Sequence, residues 1–122
     1  MKQRIEIQSP TMIVIDNPLF EIGAKYKEYE LALWADYDGC GYHFDESNHH
    51  EKEPERYYWS IFGVRYQPNG DFDGIDFLVE CGSLEDALSN LIGIGVINEE
   101  HSTQILLGAS QTRRGIKMPW HN

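Results

Sequence analysis

The stretch Asp71–Ile97, DFDGIDFLVECGSLEDALSNLIGIGVI, changes its apolar period midway and so decides the fold. In its first half Ile75, Phe77, Val79 and Cys81 alternate with other residues and read as one side of an extended strand. After Gly82 the spacing becomes three and four. Ser83 is a good helix N-cap, and Asp86 stands three residues on, as in a capping box. Leu84, Ala87, Leu88, Leu91 and Ile92 then form one apolar helix face, with Gly93 and Gly95 placed to end it. Burying each large side chain of that face contributes about 1.5–3 kcal/mol, more than the roughly 1 kcal/mol of the cap. Packing against a sheet therefore sets the helix. The expected fold class is α+β, a two-layer domain with an antiparallel sheet of about four to six strands packed on one or two short helices.

The same stretch opens on the second copy of an approximate repeat. DYDGCGYHF (Asp36–Phe44) and DFDGIDFLV (Asp71–Val79) share Asp, aromatic, Asp, Gly, apolar, any residue, aromatic, and each follows an aromatic-rich extended segment. Asp-Gly between such runs is a strong hairpin signal, because glycine accepts positive φ and Asp bonds its own backbone. Two adjacent hairpins, with turns at Gly39 and Gly74, are expected to supply four neighbouring strands, Cys40, Tyr42 and Phe44 sharing one side of the first. Upstream, RIEIQSPTMIVID reads as short extended pieces interrupted at Pro10. Asn17 and Pro18 open a short helical turn that Gly23 ends, after which Tyr29, Leu31 and Leu33 share one side of a strand. Asn98 caps a second helix through EEHSTQILLGA, with a strand over Thr103–Leu107 as the competing reading. The 109–122 region, with Arg113, Arg114 and Lys117, reads as an extended C-terminal arm.

A chain of 122 residues fits one domain, 1–122. Twenty acids against ten Lys and Arg give a formal charge of −10. That field repels a duplex or an anionic membrane and steers basic proteins inward. No apolar run approaches the roughly 20 residues needed to span a bilayer. Cys40 and Cys81 do not make a disulfide framework, and reduced cysteines in a cytoplasmic protein are the simplest reading.

Several constellations carry residue types suited to chemistry. His43, Asp45, His49 and His50 are suitable metal ligands, but their spacing differs from the helical zinc motif, and adjacent histidines diverge on any regular element. Asn69, Asp71, Asp73, Gly74 and Glu80 match positions of a calcium loop, yet IDFLVEC alternates like a strand where that loop should enter a helix. Neither a metal nor another cofactor is therefore expected. The competing functional class is a small hydrolase, either metal-dependent or with Cys40 or Cys81 paired with a histidine, but Cys81 continues the apolar alternation and reads as core. The leading expectation is a non-enzymatic module that binds a basic protein, as an inhibitor or immunity-type protein does, with a nuclease as the type of partner and nucleic-acid mimicry as one mode. In DESNHHEKEPERYYW (Asp45–Trp59), the acids Asp45, Glu46, Glu51, Glu53 and Glu55 adjoin Tyr58 and Trp59, anchors of the kind favoured at interfaces. The acidic hairpin at Asp71, Asp73 and Asp76 is the second expected contact. In a strand Tyr58 faces away from Tyr57 and Trp59, so one set enters the core and the other faces out.

Overall fold

Three hairpins build the sheet. In a computed structural model of the chain, the described residues are 3–37, 40–43 and 56–115, with side chains described for 3–35 and 57–110. Strands β1 (Ile5–Ser9) and β2 (Met12–Asp16) meet across Pro10 and Thr11, so Pro10 serves as a turn residue where it has no ladder bond to lose. Asn17 then caps a 3-10 turn over Pro18–Ile22 by accepting from the Leu19 amide, and Gly23 closes it at φ 105°. Strand β3 (Glu28–Tyr37) pairs along one edge with β5 (Arg56–Tyr66). Its other edge is shared, first by β2 and then, beyond the end of β2, by the short β4 (Cys40–His43). Strand β6 (Phe72–Cys81) pairs with β5 and forms an edge. All pairings are antiparallel, giving a six-stranded sheet in the order β1-β2-β3-β5-β6 with β4 beside β3.

The expected four neighbouring strands are present as β4-β3-β5-β6, but one turn is displaced. Tyr37 pairs with Cys40, and the first expected turn, at Asp38 and Gly39, lies outside the described residues. The β5–β6 connection is not at Asp73-Gly74. It lies at Pro68, Asn69 and Gly70, closed by the Gly70 amide donating to the Gln67 carbonyl at 2.8 Å, with Gly70 at φ 91°. Pro-Asn-Gly is itself strong turn chemistry, and it precedes Asp-Gly on the chain. Gly74 lies inside β6 at φ 152°, where Arg65 pairs with Gly74 and Tyr66 with Phe72, so that Asp73 is the extra residue of a β-bulge.

A second bulge corrects the face assignment. Ile61 pairs with Val79 while Phe62 pairs with Phe77, leaving Leu78 as the extra residue. Because side chains alternate with period two, one extra residue reverses every side chain beyond it. Val79 and Cys81 face the helices as expected, whereas Phe77 and Ile75 share the opposite face with their partners Phe62 and Val64.

Both helices pack on one face. Helix α1 (Leu84–Gly93) buries Leu84, Ala87, Leu88 and Leu91, and Ser83 accepts from the Asp86 amide at 3.1 Å as its cap. Helix α2 (Glu99–Gly115) settles the helix-or-strand alternative. Asn98 accepts from the His101 amide while His101 Nδ1 accepts from the Asn98 amide, a reciprocal cap with histidine in the usual Glu position. The helix runs on through Arg113 and Arg114 to Gly115, so the expected extended arm is helical over 109–115. The core joins Ile13, Ile15, Leu31, Leu33, Trp59 and Ile61 of the sheet to Leu88, Leu91 and Ile105 of the helices. No helix among the described residues is long and apolar enough to cross a membrane.

Candidate binding face

The sheet face turned away from the helices collects the residues of interest in transverse rows. One row runs Glu6, Val14, Glu30, Phe62, Phe77 across β1, β2, β3, β5 and β6. The next runs Asp16, Glu28, Val64, Ile75. Tyr66 and Phe72 follow on one side, and Trp34 and Tyr58 pair on the other, beyond Ala32, Ser60 and Glu80. The face is thus divided, with carboxylates over β1–β3 and aromatic and aliphatic side chains over β5–β6. The Phe62 and Phe77 rings are tilted at 5.8 Å, and Tyr66 meets Phe72 edge-on at 6.1 Å, both within the range of favourable aromatic pairs. Phe72 is 62% exposed, Phe77 53%, Ile75 45% and Leu78 41%, a cluster of large apolar side chains at one sheet edge rather than scattered single ones.

The acidic half is partly neutralised from within. Arg4 reaches Glu28 at 2.5 Å and Asp16 at 3.3 Å, and the Tyr66 hydroxyl donates to Glu28. Glu30 differs. Half-buried between Val14 and Phe62, it receives no hydrogen bond or ion pair among the described residues. Burial, with the neighbouring Glu28 charge, pushes its carboxyl above the ordinary glutamate range.

The acids expected from the second hairpin lie elsewhere. Asp76 pairs with Gly63 in register and so projects to the helix side of the sheet. There Arg65 donates to it at 3.0 and 3.2 Å and also bridges to Asp73 at 2.7 Å. The Tyr26 ring lies over Gly63, where an added Cβ would come within 2.5 Å of it, and its hydroxyl donates to Asp76. The Arg65 and Tyr26 hydrogen bonds hold the Asp76 carboxyl below its ordinary range. Asp71 belongs to the turn, its amide donating to Asn69. These residues do not converge as a calcium loop would require, and no group of three metal-ligating side chains forms among the described residues.

Trp59 is 3% exposed and packs in the core between Leu33 and α1, so it offers no ring to a partner. Its alternation partner Tyr58 lies on the outer face, half-buried in register with Trp34. Asp45, Glu46, Glu51, Glu53 and Glu55, with His49 and His50, fall outside the described residues, as do the side chains of Cys40 and His43. Phe62, Phe72, Ile75, Phe77 and Glu30 were missed by sequence reasoning. The signal was the run Phe77-Leu78-Val79, whose adjacent apolar residues break alternation and mark a bulge.

On the helix side, a cavity of about 410 Å³ opens between the sheet end and the helices, walled by Leu33, Tyr57, Trp59, Leu84, Leu106 and Ala109. Its described lining contains no histidine or cysteine, and Ser83 at its rim is engaged in capping α1. Cys81 is buried, and burial together with Asp86 and Glu80 raises its thiol pKa, the reverse of what a nucleophile needs. No family model matches the chain, and no match emerges among curated proteins or solved structures.

Proposed function

We propose that this chain is a non-enzymatic protein-binding module that engages and blocks a basic partner, in the manner of an inhibitor or immunity-type protein. The observation that carries this reading is the outer sheet face, where exposed apolar side chains adjoin carboxylates and no helix packs among the described residues. The acids suit fast encounter with a positive surface, and the aromatics suit slow release. A nucleic-acid-binding enzyme such as a nuclease is the partner type that the charge of −10 matches. Direct mimicry of phosphates draws less support, because Arg4 and Arg65 tie up several of the described carboxylates. The free, buried Cys81 suits a reducing compartment such as the cytoplasm. The raised Cys81 thiol disfavours that residue as the nucleophile of a hydrolase.

The test is affinity purification from native cells, followed by reconstitution with the purified partner and measurement of both rate constants across a salt series. A basic partner is expected, with an association rate that falls steeply as salt rises. An acidic partner whose binding depends on Arg113, Arg114 and Lys117 would overturn the reading.

A further inference from the structure

The β5–β6 end of the outer face carries three cross-strand pairs in succession, Phe62 with Phe77, Val64 with Ile75, and Tyr66 with Phe72. They form one continuous, mainly apolar stripe, bounded at its Tyr66 end by the Lys27 ammonium 4.7 Å from that ring, and its β6 members are the exposed ones. Glu30 flanks Phe62 in the same row, with no ion pair or hydrogen bond of its own among the described residues. We propose that this stripe is the anchor of a docking surface for a basic protein, taking an apolar side chain or short apolar segment of the partner while a neighbouring Lys or Arg reaches Glu30. The proposal rests on the functional reading above and locates its contact.

Charge and size select this occupant over a second copy of the chain. Two chains of net charge −10 repel, and a symmetric contact across this face would gather the carboxylates of both copies into one interface. Strand-to-strand pairing along the β6 edge is opposed by its two bulges, a device that protects sheet edges from self-association. The stripe itself measures roughly 13 Å by 10 Å from strand geometry. That is far below the ~800 Å² per partner of a stable interface. It fits the centre of a contact, filled by a protruding apolar group, with the acidic half of the face as its charged surround. A partner cation would also remove the cost of leaving Glu30 half-buried without a counter-charge.

The test uses the full chain and three synthetic peptides of equal length, one of Lys with Leu and Phe, one of Lys with Ser, and one of Glu with Leu and Phe. Binding is followed by calorimetry and by amide chemical shifts. Saturable binding of the Lys–Leu–Phe peptide alone is expected, with the largest shifts at Phe62, Ile75 and Phe77. Phe77→Ser should weaken it about tenfold or more. Glu30→Gln should weaken it severalfold and flatten its salt dependence. Ile75→Ser replaces Phe77→Ser if the latter does not fold by circular dichroism. Equal binding of the Lys–Ser peptide, or shifts confined to other strands, would overturn the proposal. So would sedimentation showing a dimer that Phe77→Ser dissociates. A basic cellular partner indifferent to Phe77→Ser sinks this surface and leaves the functional reading standing. Peptide binding on β5–β6 without any basic partner in cells supports the surface and sinks the functional reading.

Discussion

Two carboxylates on opposite faces of the sheet respond to folding in opposite senses. Asp76 accepts from Arg65 and Tyr26, and its folded pKa is depressed. An acid of this kind contributes stability above its unfolded pKa, and the contribution is lost as pH falls through the folded value. Glu30 is raised by burial and by Glu28, so its charged form is the disfavoured one in the fold. Its cost is present above the raised folded value and disappears as pH falls below the ordinary glutamate pKa of about 4.3. Glu30→Gln should therefore raise the denaturant midpoint at pH 7, and the gain should vanish as pH approaches 4. Asp76→Asn should lower the midpoint at pH 7, with the difference closing at still lower pH. Urea unfolding at several pH values measures both. A Glu30→Gln protein less stable than the parent at pH 7 would mean that the carboxylate has a stabilising partner in the fold. A gain in stability from a change that weakens binding is what a residue held for recognition shows.

At the scale of elements, the bulge at Leu78 determines which residues the outer face presents. If Leu78 is the extra residue, deleting it brings Val79 next to Phe77 with ordinary alternation and leaves each on its present face. The deletion variant should unfold cooperatively and lie within about 2 kcal/mol of the parent. Were Ile75, Phe77, Val79 and Cys81 on one face, the same deletion would swap core and surface residues along β6, and thermal melts followed by circular dichroism would show no transition. Helix α1 was legible in advance because Ser83, Leu84, Ala87, Leu88 and Leu91 repeat one local period that the core then uses unchanged. The 3-10 turn was legible for a similar reason, since Asn17, Pro18 and Gly23 act on their immediate neighbours. Strand faces are a different matter, because parity is inherited along the whole strand and a single unpaired residue resets it. Asp73-Gly74 carries the local signal of a turn, but Pro68, Asn69 and Gly70 already supply one, leaving the glycine for a bulge. Trp59 reads from the sequence as an interface anchor and is a core residue in the fold, because its side depends on which sheet face the helices cover.

At the scale of the whole molecule, a net charge of −10 acts against the local ion pairs. Arg4 and Arg65 each bridge carboxylates, but their pairs are partly or largely exposed, where a single ion pair adds little to stability. Salt weakens those pairs. It also screens the repulsion among the excess acids, which extends over many residues and is felt at separations beyond a single contact. The Debye length shortens from about 30 Å at 0.01 M to about 8 Å at 0.15 M, so this range of salt removes mostly the longer interactions while leaving close pairs partly intact. Long-range repulsion should therefore be the larger loss, and the protein should become more stable as sodium chloride rises from 10 to 150 mM at pH 7. A gain near 1 kcal/mol would move the melting temperature by roughly 2–8 °C for a domain of this size class, well within calorimetric reach. A fall in melting temperature over the same range would show that the Arg4 and Arg65 bridges outweigh the net charge. Partner binding should respond in the opposite direction, since the field that destabilises the isolated fold is the one that attracts a basic surface. Stability and affinity measured in the same buffers should therefore diverge as salt increases.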